Sequence, residues 1–149
     1  MDKEKVIEQA VIFTGSQIQT AWTKSKLKDL QLISTNKKYR ALPKEVWDQI
    51  LAEHLSLHEY VPELFDCDAF SASFMGEVAF KYEINGICRV MDISGKHSYN
   101  AVLVVDSGNC SWKRVEPQAD VFIGEPNSGL TVTAPDGAYA ATSGFAITV

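Results

Sequence analysis

Residues 66–93, DCDAFSASFMGEVAFKYEINGICRVMDI, contain the change of local pattern that decides the fold class. The acidic start from Asp66 to Asp68 suits a helix N-terminus, where carboxylates accept backbone N–H groups, and apolar residues then recur toward Tyr82. Asn85-Gly86 is typical of a turn, and Ile87 to Ile93 is rich in β-branched and apolar residues. This stretch therefore predicts a helix that is followed by a strand.

Short β segments continue after this strand and are separated by turn residues. An antiparallel meander with one more hairpin follows from that pattern. The predicted segments are Tyr99 to Val105, Ser111 to Val115, Val121 to Ile123, Leu130 to Thr133 and Ala138 to Val149.

The residues before this stretch favour helices. Pro43-Lys44-Glu45 predicts a helix start, because proline suits the first helical position and acids suit the positive end of the dipole, and this helix should end near Ser56. Apolar spacing also indicates a helix from Lys3 to about Trp22, although Gly15 and the Val11-Ile12 pair weaken that pattern.

Length and composition bound the architecture. The chain has 149 residues, of which 46% are hydrophobic and 22% charged, as in an ordinary globular protein. This length fits one domain over residues 1–149, with a helical front over about 1–84 and a strand-rich back over about 86–149. We expect an α+β fold in which N-terminal helices pack on an antiparallel sheet.

Net charge and the distribution of apolar residues argue against nucleic-acid and membrane partners. A net charge of −5 argues against a nucleic-acid partner, which would require a basic face. The N-terminus lacks an apolar signal segment, and no stretch approaches eighteen apolar residues, so we expect no export signal and no membrane partner. Three cysteines without CxxC spacing fit a reducing, cytoplasmic location.

Cys67, His97 and Glu116 are the candidate catalytic residues. In this order a thiol, an imidazole and a carboxylate supply a nucleophile, its base and the group that orients the base. A thiol at a helix N-terminus feels the positive end of the dipole, which favours thiolate, whereas the neighbouring Asp66 and Asp68 disfavour it.

His54 and His58 are four residues apart, which is a spacing found in metal sites. No third ligand of matching type lies nearby in the sequence, so the two are interpreted as surface histidines rather than a zinc site.

Three motifs resemble a known family, the papain-like cysteine peptidase domain at the C-terminus of fungal fruiting-body agglutinins, with its compact bacterial and phage relatives. The motifs are Asp66-Cys67-Asp68-Ala69-Phe70, His97-Ser98-Tyr99-Asn100 and Glu116-Pro117-Gln118, and the resemblance covers roughly Leu42 to Ile123. It implies a papain-like or transglutaminase-like fold, in which Cys67 is the nucleophile, His97 the general base and Glu116 the third member.

The resemblance also implies supporting residues and a cation. The glutamine that papain-like enzymes place upstream of the cysteine is absent here, so the backbone N–H of Cys67 with Tyr60, or Gln118, would serve as the oxyanion hole. Asn100 would support the His97 turn or extend the polar network. No cofactor is required, although the agglutinin relatives look calcium-dependent and Asp68 would then line a cation site.

Two functions remain open. The leading hypothesis is a cysteine-dependent hydrolase or acyl-transfer enzyme that acts on a protein or peptide substrate, or on another amide. The alternative is a non-catalytic binding module, or a phage-associated interaction module, that retains the papain-like fold. The missing glutamine and the two acids beside Cys67 motivate the alternative.

Overall fold

The computed structural model describes residues 1–58, 61, 63–64, 66–117 and 141–149. In this part of the chain there are four helices and seven strands. In chain order they are α1 (Lys3–Glu8), β1 (Val11–Thr14), α2 (Gly15–Thr23), β2 (Gln31–Ile33), β3 (Lys38–Ala41), α3 (Lys44–Leu57), α4 (Cys67–Tyr82), β4 (Ile87–Asp92), β5 (His97–Asp106), β6 (Asn109–Val115) and β7 (Gly144–Thr148).

A five-stranded sheet organises these elements, with strand order β2-β7-β4-β5-β6. Strands β4, β5 and β6 form an antiparallel meander, and β7 pairs antiparallel with β4 and parallel with β2. Strands β1 and β3 form a separate antiparallel pair. The α+β class predicted from the sequence is confirmed.

Helices cover both faces of the sheet, and alternate residues of β5 contribute to two different apolar clusters. Tyr99, Ala101 and Leu103 belong to the cluster that includes Trp22 of α2, whereas Val102 belongs to the cluster of α3 and α4. A buried tryptophan forms a hydrogen bond between helix and sheet on each face. Trp112 Nε1 of β6 donates to Ile18 O of α2 at 3.0 Å, and Trp47 Nε1 of α3 donates to Leu103 O of β5 at 3.0 Å.

The front of the chain differs from its predicted helical character. The expected helix from Lys3 to Trp22 is divided into α1, β1 and α2. The β-branched Val11-Ile12 pair lies in β1, and Thr14 then starts α2 with a capping box, in which its side chain and that of Gln17 each accept a backbone N–H. Strands β2 and β3 also lie within residues 1–84, so this front is mixed rather than helical.

Helices α3 and α4 begin where the sequence predicted. Pro43 is the N-cap of α3, and the Asp66 side chain accepts the Asp68 N–H at the start of α4. The predicted strands at Val121 to Ile123 and Leu130 to Thr133 lie outside the described residues. The end of the segment predicted from Ala138 forms β7.

No helix in the described ranges is both long enough and apolar enough to cross a bilayer. The cytoplasmic location and the single domain stay predictions.

Candidate functional site

Cys67 is the first residue of α4, and its half-buried thiol lies near the backbone of Ser98 at the start of β5. Burial raises the pKa of the Cys67 thiol, and the carboxylates of Asp68, Asp66 and Glu116 raise it further, whereas the neighbouring backbone of Ser98 lowers it. The net direction is upward, so the folded environment disfavours the thiolate.

His97 and Glu116 are brought together as a buried pair. His97 Nε2 and Glu116 Oε2 are 2.7 Å apart, Glu116 has no solvent exposure, and His97 is 5% exposed. The imidazole also stacks on Tyr99, with ring centroids 5.6 Å apart. The two residues lie at the start of β5 and just after the end of β6, so the antiparallel pairing of those strands brings them together.

A polar network joins α4 to the sheet behind Cys67. Ser71 Oγ and Ser98 Oγ are 2.7 Å apart, and Arg89 Nε donates to both at 3.2 Å. Arg89 Nη2 donates to Asp68 Oδ1 at 3.2 Å. Sequence reasoning missed this network, although a charged residue inside the apolar β4 segment was a signal for it.

Asn100 lies deeper and contacts backbone groups. Its Nδ2 donates to Ser71 O at 2.9 Å and to Cys88 O at 3.2 Å. The side chain has no solvent exposure. Asn100 therefore ties α4 to β4 and β5.

The structure does not test the roles predicted for the remaining site residues, Tyr60, Gln118 and Asp68. Tyr60 and Gln118 lie outside the described residues. Asp68 pairs with Arg89, and within the described ranges it does not belong to a group of three or more converging histidine, cysteine and carboxylate ligands. The calcium requirement stays a prediction.

Because its pKa is raised, native Cys67 is expected to be alkylated by iodoacetamide only at more alkaline pH than an unstructured thiol of pKa about 8.5. Asp68→Asn should move the labelling profile toward lower pH because it removes one of the carboxylates that disfavour thiolate. Asp106→Asn, at an exposed position, is the matched control and should leave the profile unchanged. Peptide mass spectrometry of Cys67 across pH measures this, and half-maximal labelling near pH 6 would contradict it.

Away from Cys67, a groove with a polar lining lies between β3, the C-terminal end of α4 and Val149. This groove has a volume of about 530 Å³. Its polar lining includes the side chains of Asn36, Lys38, Arg40, Glu83 and Asn85.

Hydrogen bonds fix the polar lining of the groove. Asn85 Oδ1 accepts the Arg40 N–H and its Nδ2 donates to Lys38 O, each at 2.9 Å. Arg40 Nη1 donates to Glu83 O at 2.8 Å, and Asn36 Nδ2 donates to a backbone oxygen of Val149 at 2.8 Å. The groove is therefore lined by amide and guanidinium groups whose positions are set before any ligand binds.

Comparison with known proteins shows that the fold of this chain is similar to that of two solved structures. No family model matches the chain, and no curated protein matches it. The fold resembles that of Polyporus squamosus lectin. One solved structure is this lectin bound to a human-type influenza-binding epitope, Neu5Acα2-6Galβ1-4GlcNAc, with 22% identity and a TM-score of 0.60 over 93% of this chain. Another is a PSL1a-E64 complex, with 20% identity and a TM-score of 0.59 over 94% of this chain.

The chain spans 50% of the length of each of these two structures. At these identities the likeness shows the fold alone.

These findings correct the predicted family and function. One similar solved structure is described as a lectin bound to a saccharide and the other as a PSL1a-E64 complex, and neither description names a peptidase. The raised pKa of the Cys67 thiol points the same way, because it disfavours the thiolate, which is the attacking species. We therefore correct the prediction of a papain-like cysteine peptidase or other thiol hydrolase or acyl-transfer enzyme, and the non-catalytic alternative is favoured.

Sequence reasoning also misplaced His54. It was interpreted as a surface histidine, but it is only 2% exposed. Its ring packs against Phe74 at a centroid distance of 5.0 Å. Its position on the inner face of α3, beside the buried Ile50 and Leu51, was the available signal.

Proposed function

We propose that this chain is a non-catalytic binding module that retains a papain-like arrangement of helix and sheet and binds carbohydrate in the groove. The observation that carries the proposal is the fixed set of polar groups along its wall, formed by Asn36, Arg40 and Asn85. Sugar hydroxyls both donate and accept, so they are recognised by amides, carboxylates and guanidinium groups that are already positioned. The lectin that shares the fold is described with a bound saccharide, which supports the same class of ligand.

The charges in the groove favour an acidic sugar. Lys38 and Arg40 lie along the lining, and the carboxylate of Glu83 pairs with Lys3. The guanidinium of Arg40 carries five N–H donors, and Nη1 donates to Glu83 O, so other N–H groups can face a ligand carboxylate. A planar guanidinium also matches a carboxylate in a bidentate manner.

Apolar surface borders the polar groups. Ile12 lines the groove and is exposed, and Ala79 of α4 also lines it. Apolar side chains beside polar groups suit the mixed surface of a sugar ring.

Binding should be measured by titration calorimetry with Neu5Acα2-6Galβ1-4GlcNAc and with the neutral Galβ1-4GlcNAc. The wild-type chain is expected to bind the acidic saccharide more tightly, and Arg40→Gln should weaken that binding by about tenfold, the equivalent of one charged hydrogen bond. Lys113→Gln removes a cation from the exposed side of β6, outside the groove, and is expected to have no effect. Binding of neither saccharide, or equal binding by Arg40→Gln, would overturn the proposal.

A protein or peptide partner is the second candidate. It is favoured by exposed apolar side chains just before α4, at Leu57, Val61 and Leu64. Exposed apolar groups that lie near one another are a common feature of protein interaction surfaces.

A further inference from the structure

Three metal-ligating side chains converge where the end of α3 meets the middle of α4. They are His54, His58 and Glu77, and one ligand atom from each lies within 4.8 Å of the other two. His54 Nδ1 is 2.6 Å from Glu77 Oε2, and His58 Nε2 is 3.4 Å from the same oxygen. The sequence spacing identified the two histidines, and the third group comes from another helix.

The local backbone explains why both imidazoles face the same carboxylate. His54 lies in the last turn of α3, and residues four apart occupy one face of a helix. The helix ends at Leu57, and His58 adopts extended backbone angles of φ −128° and ψ 143°. Its ring centroid lies 4.5 Å from that of His54, so the two rings remain adjacent.

The surroundings hold these ligands in place. His54 packs against Phe74, and both histidine rings lie about perpendicular to Phe70, at interplanar angles of 83° and 81°. Burial disfavours the charged imidazolium of His54, and the neutral ring is the form that binds metals. Within the described residues, His54 Nε2 is buried without a hydrogen-bond partner, so Nδ1, which faces Glu77, is the ring atom available to bind an ion beside that carboxylate.

The distances fit a tetrahedral ion after small side-chain movements. Ligand atoms that bind Zn²⁺ at about 2.0–2.1 Å are roughly 3.3 Å apart in a tetrahedral site. The separation of His58 and Glu77 already has this value, whereas the His54 to Glu77 hydrogen bond must lengthen by roughly 0.7 Å. The longest separation among the three must shorten by no more than about 1.5 Å.

We propose that His54, His58 and Glu77 bind a divalent transition-metal ion, with Zn²⁺ the preferred ion. Two imidazoles and one carboxylate form a donor set that suits Zn²⁺ and leaves a fourth position for solvent. The ion would join the end of α3 to the middle of α4. This site is separate from the saccharide groove, and its existence does not depend on the proposed function.

Cobalt titration of the full chain, followed by visible absorption, tests the site directly because Co²⁺ reports its ligand geometry. The expected result is one Co²⁺ per chain, with the intense bands of a low-coordinate site, no thiolate-to-cobalt charge transfer, and displacement by one equivalent of Zn²⁺. His58→Ala and Glu77→Gln should each weaken binding by more than about 100-fold, because losing a group that only orients a ligand already costs about 10- to 100-fold.

Glu45→Gln is the matched control, because Glu45 is an exposed carboxylate at the other end of α3. It should bind cobalt as the wild type does. Circular dichroism confirms that each variant is folded, and if Glu77→Gln is not, His58→Ala at the half-buried position decides. Unchanged affinity in His58→Ala, a thiolate charge-transfer band, or binding only at millimolar cobalt would overturn the proposal.

Discussion

Replacing His97 with alanine is expected to lower the free energy of unfolding by about 3–5 kcal/mol. The reason is the carboxylate of Glu116, which has no solvent exposure and lies 2.7 Å from the imidazole. Removing the imidazole leaves a buried charge without this partner, and such a group costs far more than an exposed one. Urea unfolding at pH 7, monitored by circular dichroism, measures the loss.

A second variant shows whether the buried charge is the cause. His97→Ala combined with Glu116→Gln carries a neutral amide at the same place, so the double variant should be more stable than His97→Ala alone by at least about 1 kcal/mol. A loss below about 1 kcal/mol for His97→Ala, or no recovery in the double variant, would contradict a stabilising role of the pair.

Gly86→Ala is expected to destabilise the fold by about 3 kcal/mol or more. A Cβ at Gly86 would lie 2.1 Å from the backbone oxygen of Arg40 and 3.1 Å from Leu103 Cβ. The backbone oxygen cannot move as a flexible side chain would. The clash can therefore be removed only if β3 and the segment before β4 move apart. Arg40 also lines the groove that we propose to bind saccharide, so on that proposal the same substitution should weaken binding.

Gly76→Ala provides the matched control for Gly86→Ala. Gly76 lies inside α4, and a Cβ there meets nothing within 4 Å. Alanine is a better helix former than glycine, so this variant should gain about 0.5–1 kcal/mol. Chemical denaturation of both variants tests the pair, and equal stabilities would show that close backbone approach at Gly86 has no special effect.

Local sequence signals were sufficient for the elements that carry the site. Capping acids and apolar spacing located α4, and a turn followed by β-branched residues located β4. The structure of the front of the chain was harder to predict from the sequence. Strand β2 pairs with β7, where Leu32 is opposite Ala146. A pairing between residues so far apart leaves no periodic trace in either segment, so β2 was not predicted.

Residue type and order could not determine the chemistry of the site. The sequence placed Cys67 at a helix start, where the dipole favours thiolate. Burial and the approach of Glu116 from β6 act in the opposite direction, and both arise only in the folded chain. In the same way, His54 and His58 have a spacing found in metal sites but were interpreted as surface histidines, because Glu77 is distant in sequence and lies on another helix.

The position of β7 has a consequence for how the chain folds during synthesis. Strands β4 to β6 are neighbours in sequence and can form an antiparallel meander early, because short connections close at low entropic cost. Strand β7 inserts between β2 and β4, so both of those strands remain as unpaired edges until residues 144–148 leave the ribosome. Until then the β4 edge can pair with a strand of another chain, so insertion of β7 also removes a site of intermolecular strand pairing.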